Sequence, residues 1–307
     1  MVATGIGYGK IILFNEHFVV YGVPAIAAAI DKTIRVDIED SKKMEVIDRR
    51  QVLGREKIDN DWNLKVIKSI ASYLNVDLNN NPVKMVLSGD IPLASGLGAS
   101  AATCVAIARA LSDYFDLDLG NEEINLAAYQ GEKIFHGNPS GIDNTIATYG
   151  GIIWFERKNG KNITEPIRIG RTLHIVIGNT GVAANTKEVV EGVRRRREKY
   201  REEFDRIFSN AEELAYTAKK ALENGNIKEI GSLMNMNQEM LRRIGVSCKE
   251  LEFLIEIALN NGALGAKLTG SGKGGNMIAL AIDENMQNRI ANAMGKEGFS
   301  TIKTMVG

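Results

Sequence analysis

The segment Pro92-Leu93-Ala94-Ser95-Gly96-Leu97-Gly98-Ala99-Ser100-Ala101-Ala102 constrains this chain more than any other. Two glycines one residue apart let the backbone turn tightly and carry its N–H groups close to a neighbour. The small residues that follow open a helix over about Ala101 to Phe115, with Ile107, Leu111, Tyr114 and Phe115 on one stripe. The first turn of such a helix has N–H groups without intrahelical partners and the positive end of the helix dipole, and both attract phosphate. Taken alone, the segment fits a phosphate cradle or a plain serine-capped turn. It is not a Walker loop: Gly9-Lys10 precedes Ile11 and Gly272-Lys273 precedes Gly274, where that loop needs Ser or Thr. A protein-kinase catalytic loop is absent as well.

Three further segments carry chemistry. Gln130 to Asn144, QGEKIFHGNPSGIDN, sets a carboxylate near a helix end, then a turn rich in glycine, proline and serine, then a second carboxylate. Glu132 could hold Mg²⁺ and Asp143, on the loop, could orient or deprotonate a hydroxyl; a solvated helix residue and a turn former would look the same. Lys267 to Asn276, KLTGSGKGGN, has four glycines between two strands, more than a hairpin needs, which points to a close backbone approach to a ligand or to the first glycine loop. Gly9 to His17, GKIILFNEH, places Lys10, Glu16 and His17 around an apolar strand, where charges are costly unless paired or used.

Around these segments the chain reads as α+β. Strands are expected at Lys10 to Phe14, Ala25 to Ile30, Ile34 to Ile38 and Val83 to Leu87, with a helix at Trp62 to Leu74. A helix at Glu122 to Phe135 is stopped by Gly137 and Pro139, Thr145 to Phe155 is strand-like, and Glu156 to Gly160 is a polar hairpin turn. A second domain is placed from Arg168, giving domains 1–167 and 168–307. It holds a strand at His174 to Ile177, charged helices from Thr186 to Ile244, and a helix opened by a capping box at Ser247 to Glu250 and closed at Asn261-Gly262. Strands at Leu264 to Leu268, Asn276 to Ile282 and Thr301 to Val306, and a helix at Glu284 to Met294, complete it.

Composition narrows the function classes. Thirty-eight basic and thirty-eight acidic side chains cancel, so no global field favours nucleic acid or an anionic membrane. The run Arg194 to Arg197, followed by acidic and basic residues, reads as an ion-paired helix face. Cys104 and Cys248 lack ligand spacing and are expected to be reduced thiols, and His17, His136 and His174 are too scattered for a metal site. No run reaches the roughly 18–20 apolar residues that span a bilayer, and no leader is evident, so a cytoplasmic protein without nucleic-acid or membrane partners is expected.

In this order, the four segments resemble the GHMP kinase superfamily, from Gly9 to Asn276. GKIILFNEHFVVYG and QGEKIFHGNPSGIDNTIATYGG are most similar to its mevalonate-phosphorylating members. The resemblance implies an N-terminal ribosomal-S5-like domain, a C-terminal ferredoxin-like domain, and ATP-dependent phosphorylation of the 5-hydroxyl of (R)-mevalonate; the alternatives are a kinase of the same family acting on another small alcohol, a mevalonate derivative or a sugar, and a non-catalytic member that senses a ligand. It implies that Pro92, Ser95, Gly96, Leu97, Gly98, Ala99, Ser100 and Ala101, with Gly270, Ser271 and Gly272, bind ATP. Ser100 and Glu132 would hold Mg²⁺. Asp143 would be the catalytic aspartate with Lys10 beside it, and Glu16, His17, Thr186 and Arg194 would face the acceptor. A homodimer is expected on the same ground. Three departures stand out: Asn15 where a glycine is usual, Ala99 in place of a serine, and Lys273 within the third glycine motif.

Overall fold

The computed structural model describes residues 2–51, 60–137, 139–158 and 161–307. Two compact units share the chain: Met1–Lys10 with Ala29–Gly150, and Ile11–Ala28 with Gly151–Gly307.

The first unit contains the start of strand β1 (Val2–Phe14), most of β2 (Ala25–Asp40), β3 (Glu45–Asp48), α1 (Asn60–Tyr73), β4 (Val83–Gly89), α2 (Ala99–Tyr114), α3 (Asn121–His136) and α4 (Ile142–Tyr149). β2 pairs antiparallel with β4 through Ile34 and Gly89, and β3 pairs parallel with β4. α2 is buried from Ala101 through Ala108 and again at Ala110 and Leu111, almost all the way round. That explains its run of alanines: a helix enclosed on every side can carry only small or apolar residues. β1 lies against it where Gly7 stands, for a Cβ on Gly7 would come 2.1 Å from the carbonyl oxygen of Ala102.

The second unit holds the end of β1, a 3-10 turn at Phe18–Tyr21, the start of β2, then β5 (Ile152–Lys158) and β6 (Lys161–Ile167). There follow β7 (Leu173–Asn179), α5 (Thr186–Lys199), α6 (Arg201–Glu223), α7 (Ile227–Arg243), α8 (Lys249–Asn260), β8 (Gly265–Thr269), β9 (Asn276–Ala281), α9 (Glu284–Lys296) and β10 (Ser300–Val306). β5 pairs with Ala25–Ala28 on one side and with β6 on the other. The four later strands form an antiparallel sheet in the order β10-β7-β9-β8, the ferredoxin-like arrangement. Phe18, Phe204, Phe208, Leu254, Met277 and Met294 lie in its core, with Phe18 set edge-on to Phe208 at 5.2 Å.

Several local expectations are corrected. The strands expected at Ala25 to Ile30 and Ile34 to Ile38 are one strand, because Asp31-Lys32-Thr33 continues the extended backbone. The region read as strand from Thr145 to Phe155 begins as helix α4, and β5 starts only at Ile152. Asp143 therefore sits in a helical first turn and not on a loop. The capping box at Ser247 does not form: Cys248 is the N-cap of α8, and the Ser247 hydroxyl donates to Glu252. The tip of the hairpin expected at Glu156 to Gly160, Asn159-Gly160, lies outside the described residues, as does Asn138 of the second segment.

Candidate active site

In the first unit, Lys10 is the junction. Its N–H donates to the Leu97 carbonyl at 2.9 Å, which ties β1 to the glycine loop. Gly98, the N-cap of α2, has φ +78°, and a Cβ there would meet Lys10 Cγ at 2.8 Å. A side chain is excluded at Gly98 by backbone conformation and by space alike. Along the loop Ser95, Leu97, Ala99 and Ala101 are buried, Pro92 and Ser100 half-buried, and Gly96 exposed.

The Lys10 ammonium lies 3.3 Å from the Asp143 carboxylate. Glu132, near the end of α3, is only 2% exposed, and its Oε1 has no hydrogen-bond partner among the described residues. Burial pushes its carboxyl up to about 7, the negative charge of Asp143 adds to the rise, and a hydrogen bond with Ser100 and the charge of Lys10 oppose it. His136, one turn after Glu132, brings Nε2 within 3.2 Å of Ser100 Oγ and 3.9 Å of Glu132 Oε2. His136 is too far from His17 and His174 in sequence to suggest a metal site with them, but its i,i+4 spacing from Glu132 is the local signal for this contact. Among the described residues no three His, Cys, Asp or Glu side chains gather into a metal cage. A carboxylate with an unmet oxygen beside a serine hydroxyl still suits Mg²⁺, which takes one or two protein ligands and completes its shell with water and phosphate.

The second unit gathers a different set. Glu16 is buried and ion-paired to Lys267, whose side chain is wholly buried and also donates to the Leu268 carbonyl at 2.6 Å. His17 is buried in a left-handed conformation, φ +62°. Its Nε2 lies 2.7 Å from the Ser271 carbonyl, a group that only accepts, so Nε2 carries a proton and donates. Burial lowers its pKa; the bond to Ser271 opposes that, and the charges of Arg196 and Lys267 reinforce it. Thr269 Oγ1 accepts from the Ile12 N–H at 2.9 Å, so β8 carries the groups that meet the end of β1 and the turn after it.

In the third glycine segment, the Lys273 N–H donates to the Val246 carbonyl and the Gly275 N–H to that of Val182. The close approach is to protein backbone; Gly270 and Ser271 are half-buried, Gly272 is buried, and Lys273 is exposed. Thr186 is exposed at the start of α5, after Asn185, whose side chain caps the helix. Arg194 is exposed and pairs with Glu191 at 2.7 Å. Arg196, by contrast, turns inward, donating to the carbonyls of Ile244 and Gly245. Within the run read as an ion-paired face, Arg196 is thus one that points inward, whereas no role is legible in the sequence for Lys267 and Asn237, whose partners Glu16 and Asn15 come from distant stretches of chain.

Comparison with known proteins gives a consistent picture. The family model for the GHMP kinases N terminal domain matches residues 64–151, and that for the GHMP kinases C terminal matches residues 218–300. The mevalonate kinase of Thermococcus onnurineus is 35% identical, covering 97% of this chain and 94% of that protein. The crystal structure of L. major mevalonate kinase in complex with R-mevalonate is 38% identical, with a TM-score of 0.92 over 99% of this chain and 95% of that one. The Methanococcus jannaschii mevalonate kinase is 27% identical, with a TM-score of 0.82 over 100% of this chain and 98% of that one. With both family models matched in order and relatives aligned almost end to end, the chain belongs to the GHMP kinases.

Proposed function

We propose that this chain transfers the γ-phosphoryl group of ATP to the 5-hydroxyl of (R)-mevalonate, giving ADP and 5-phosphomevalonate. The likeness over nearly its whole length to a mevalonate kinase holding R-mevalonate carries the reading. The Lys10–Asp143 pair supplies a chemistry for it.

Phosphoryl transfer asks an enzyme mainly for positioning and neutralisation of charge. The glycine loop from Gly96 and the opening turn of α2 at Ala99 to Ala101 offer backbone N–H groups and a helix dipole to the phosphates. Glu132 and Ser100 would hold Mg²⁺, which when bound neutralises phosphate charge. Asp143 orients the acceptor hydroxyl and stands ready to take its proton, and the adjacent Lys10 ammonium stabilises charge developing on that oxygen. Glu16 and His17 hold the acceptor. Burial keeps His17 neutral near pH 7, so it offers a hydrogen-bonding imidazole and not a second cation.

The test is ADP release with Mg-ATP against a panel of small alcohols, with Asp143→Ala beside wild type. Turnover on mevalonate should fall by about 10²–10⁴-fold in the variant, the usual span for loss of an acid–base group. Turnover only on some other alcohol would discard mevalonate and keep the phosphotransfer. ATP binding without turnover on any alcohol would discard the enzyme reading.

A further inference from the structure

The turn that carries Glu16 and His17 is held in a conformation ordinary side chains avoid. Asn15 has φ +69° and His17 φ +62°, so left-handed residues flank Glu16 on both sides. Two such residues in three persist only where the surroundings over-determine them.

Asn15 supplies that restraint. It is fully buried, as is Asn237 on α7. The Asn15 N–H donates to Asn237 Oδ1 at 3.1 Å, and Asn237 Nδ2 donates back to Asn15 Oδ1 at 2.9 Å. Asn15 Nδ2 spends its two protons on the carbonyls of Pro24 and of Ala211 on α6, both at 2.8 Å. The orientation of both amides follows from this. The Asn15 nitrogen faces two carbonyls and the Asn237 oxygen faces a main-chain N–H, so neither can be reversed without losing bonds. A glycine at position 15, usual in the family the sequence resembles, would adopt the same φ but reach neither carbonyl.

We propose that Asn15 and Asn237 are a positioning pair that fixes Glu16 and His17 in the orientation that binds the acceptor. This rests on the reading that those two residues hold the acceptor. The bland alternative is a satisfied buried amide pair that serves stability alone. The two differ in what they do to the two substrates: positioning acts on the acceptor selectively, and general loosening does not.

The experiment is steady-state kinetics of Asn15→Gly, Asn237→Ala and the double variant, varying mevalonate and ATP separately. Each single variant should raise the KM for mevalonate by about tenfold or more and leave the KM for ATP within about twofold, a loss of uniform acceptor binding. The double variant should be no worse than the more damaged single one, since residues acting as a unit are not additive. Equal rises in both KM values, unchanged KM values, or additive losses would overturn the proposal. Asn15→Gly keeps φ accessible and so remains informative if Asn237→Ala does not fold. Glu16→Gln and His17→Ala run alongside. If they leave the mevalonate KM unchanged, the acceptor reading fails, and the pair is judged on the ¹⁵N signals of His17 in Asn15→Gly. A tautomer signature that moves away from Nε2–H supports the pair even then, and one identical to wild type overturns it.

Discussion

Burial leaves Glu132 with an oxygen that finds no hydrogen-bond partner among the described residues, and the carboxyl answers by holding its proton up to about pH 7. Asp143 and Lys10 act on it with opposite signs, while His136 and Ser100 face it from its own helix and from α2. Because the folded-state pKa lies above the unfolded one, this group's contribution is fully present below about pH 4.5, where both states are protonated. It is lost as pH rises through about 7, by up to about 3 kcal/mol. Glu132→Gln should therefore gain stability relative to wild type between pH 5 and pH 8, measured by urea unfolding without divalent cations; parallel stability curves would refute the shift. Glu132 itself was visible in the sequence as a carboxylate at a helix end. Its burial was not, because Glu132 is enclosed by groups from other elements, Ser100 and Cys104 on α2 and Asp143 on α4. For the same reason the sequence does not show that Lys267 is buried: the partner that makes it tolerable, Glu16, lies 251 positions away.

At the scale of elements, most helices were legible because their periodicity and stops agree, as in α3, which was expected at Glu122 to Phe135 and runs Asn121–His136. Elements failed where local propensity and tertiary setting conflict. Thr145-Ile146 is a β-branched pair that suggests a strand, yet it lies in α4, with Ile146 buried in the packing against α2 and α3. The first strand is expected only at Lys10 to Phe14, yet β1 runs from Val2, and Gly7 marks where strand and helix backbones nearly touch. Gly7→Val should consequently destabilise the protein by about 1–3 kcal/mol or more, the range for overpacking. A comparable change at the exposed Ile6, to Val, should stay within about 0.5 kcal/mol. Thermal unfolding of the two variants distinguishes them, and equal melting temperatures would mean that β1 and α2 separate easily.

For the molecule as a whole, the chain does not finish one unit before starting the other. Residues 11–28 belong with 151–307, and they bring Phe18 and Val23 into that core. A fragment of residues 168–307 lacks both, together with β5 and β6. Loss of a buried phenylalanine alone removes about 3–5 kcal/mol from a domain whose total stability is on the order of 5–15 kcal/mol. The fragment should show a broad, non-cooperative melt by circular dichroism, and a sharp two-state transition would contradict the assignment of residues 11–28 to that unit. The interleaving also bears on inheritance. Exchanging one unit for a relative's would need three simultaneous crossovers, at codons 10/11, 28/29 and 150/151, the first two inside β1 and β2. Asn15 and Asn237, 222 positions apart, would be separated by any single recombination event that falls between them. Lineages of this chain are thus expected to diverge by substitution in place, with its two units sharing one ancestry.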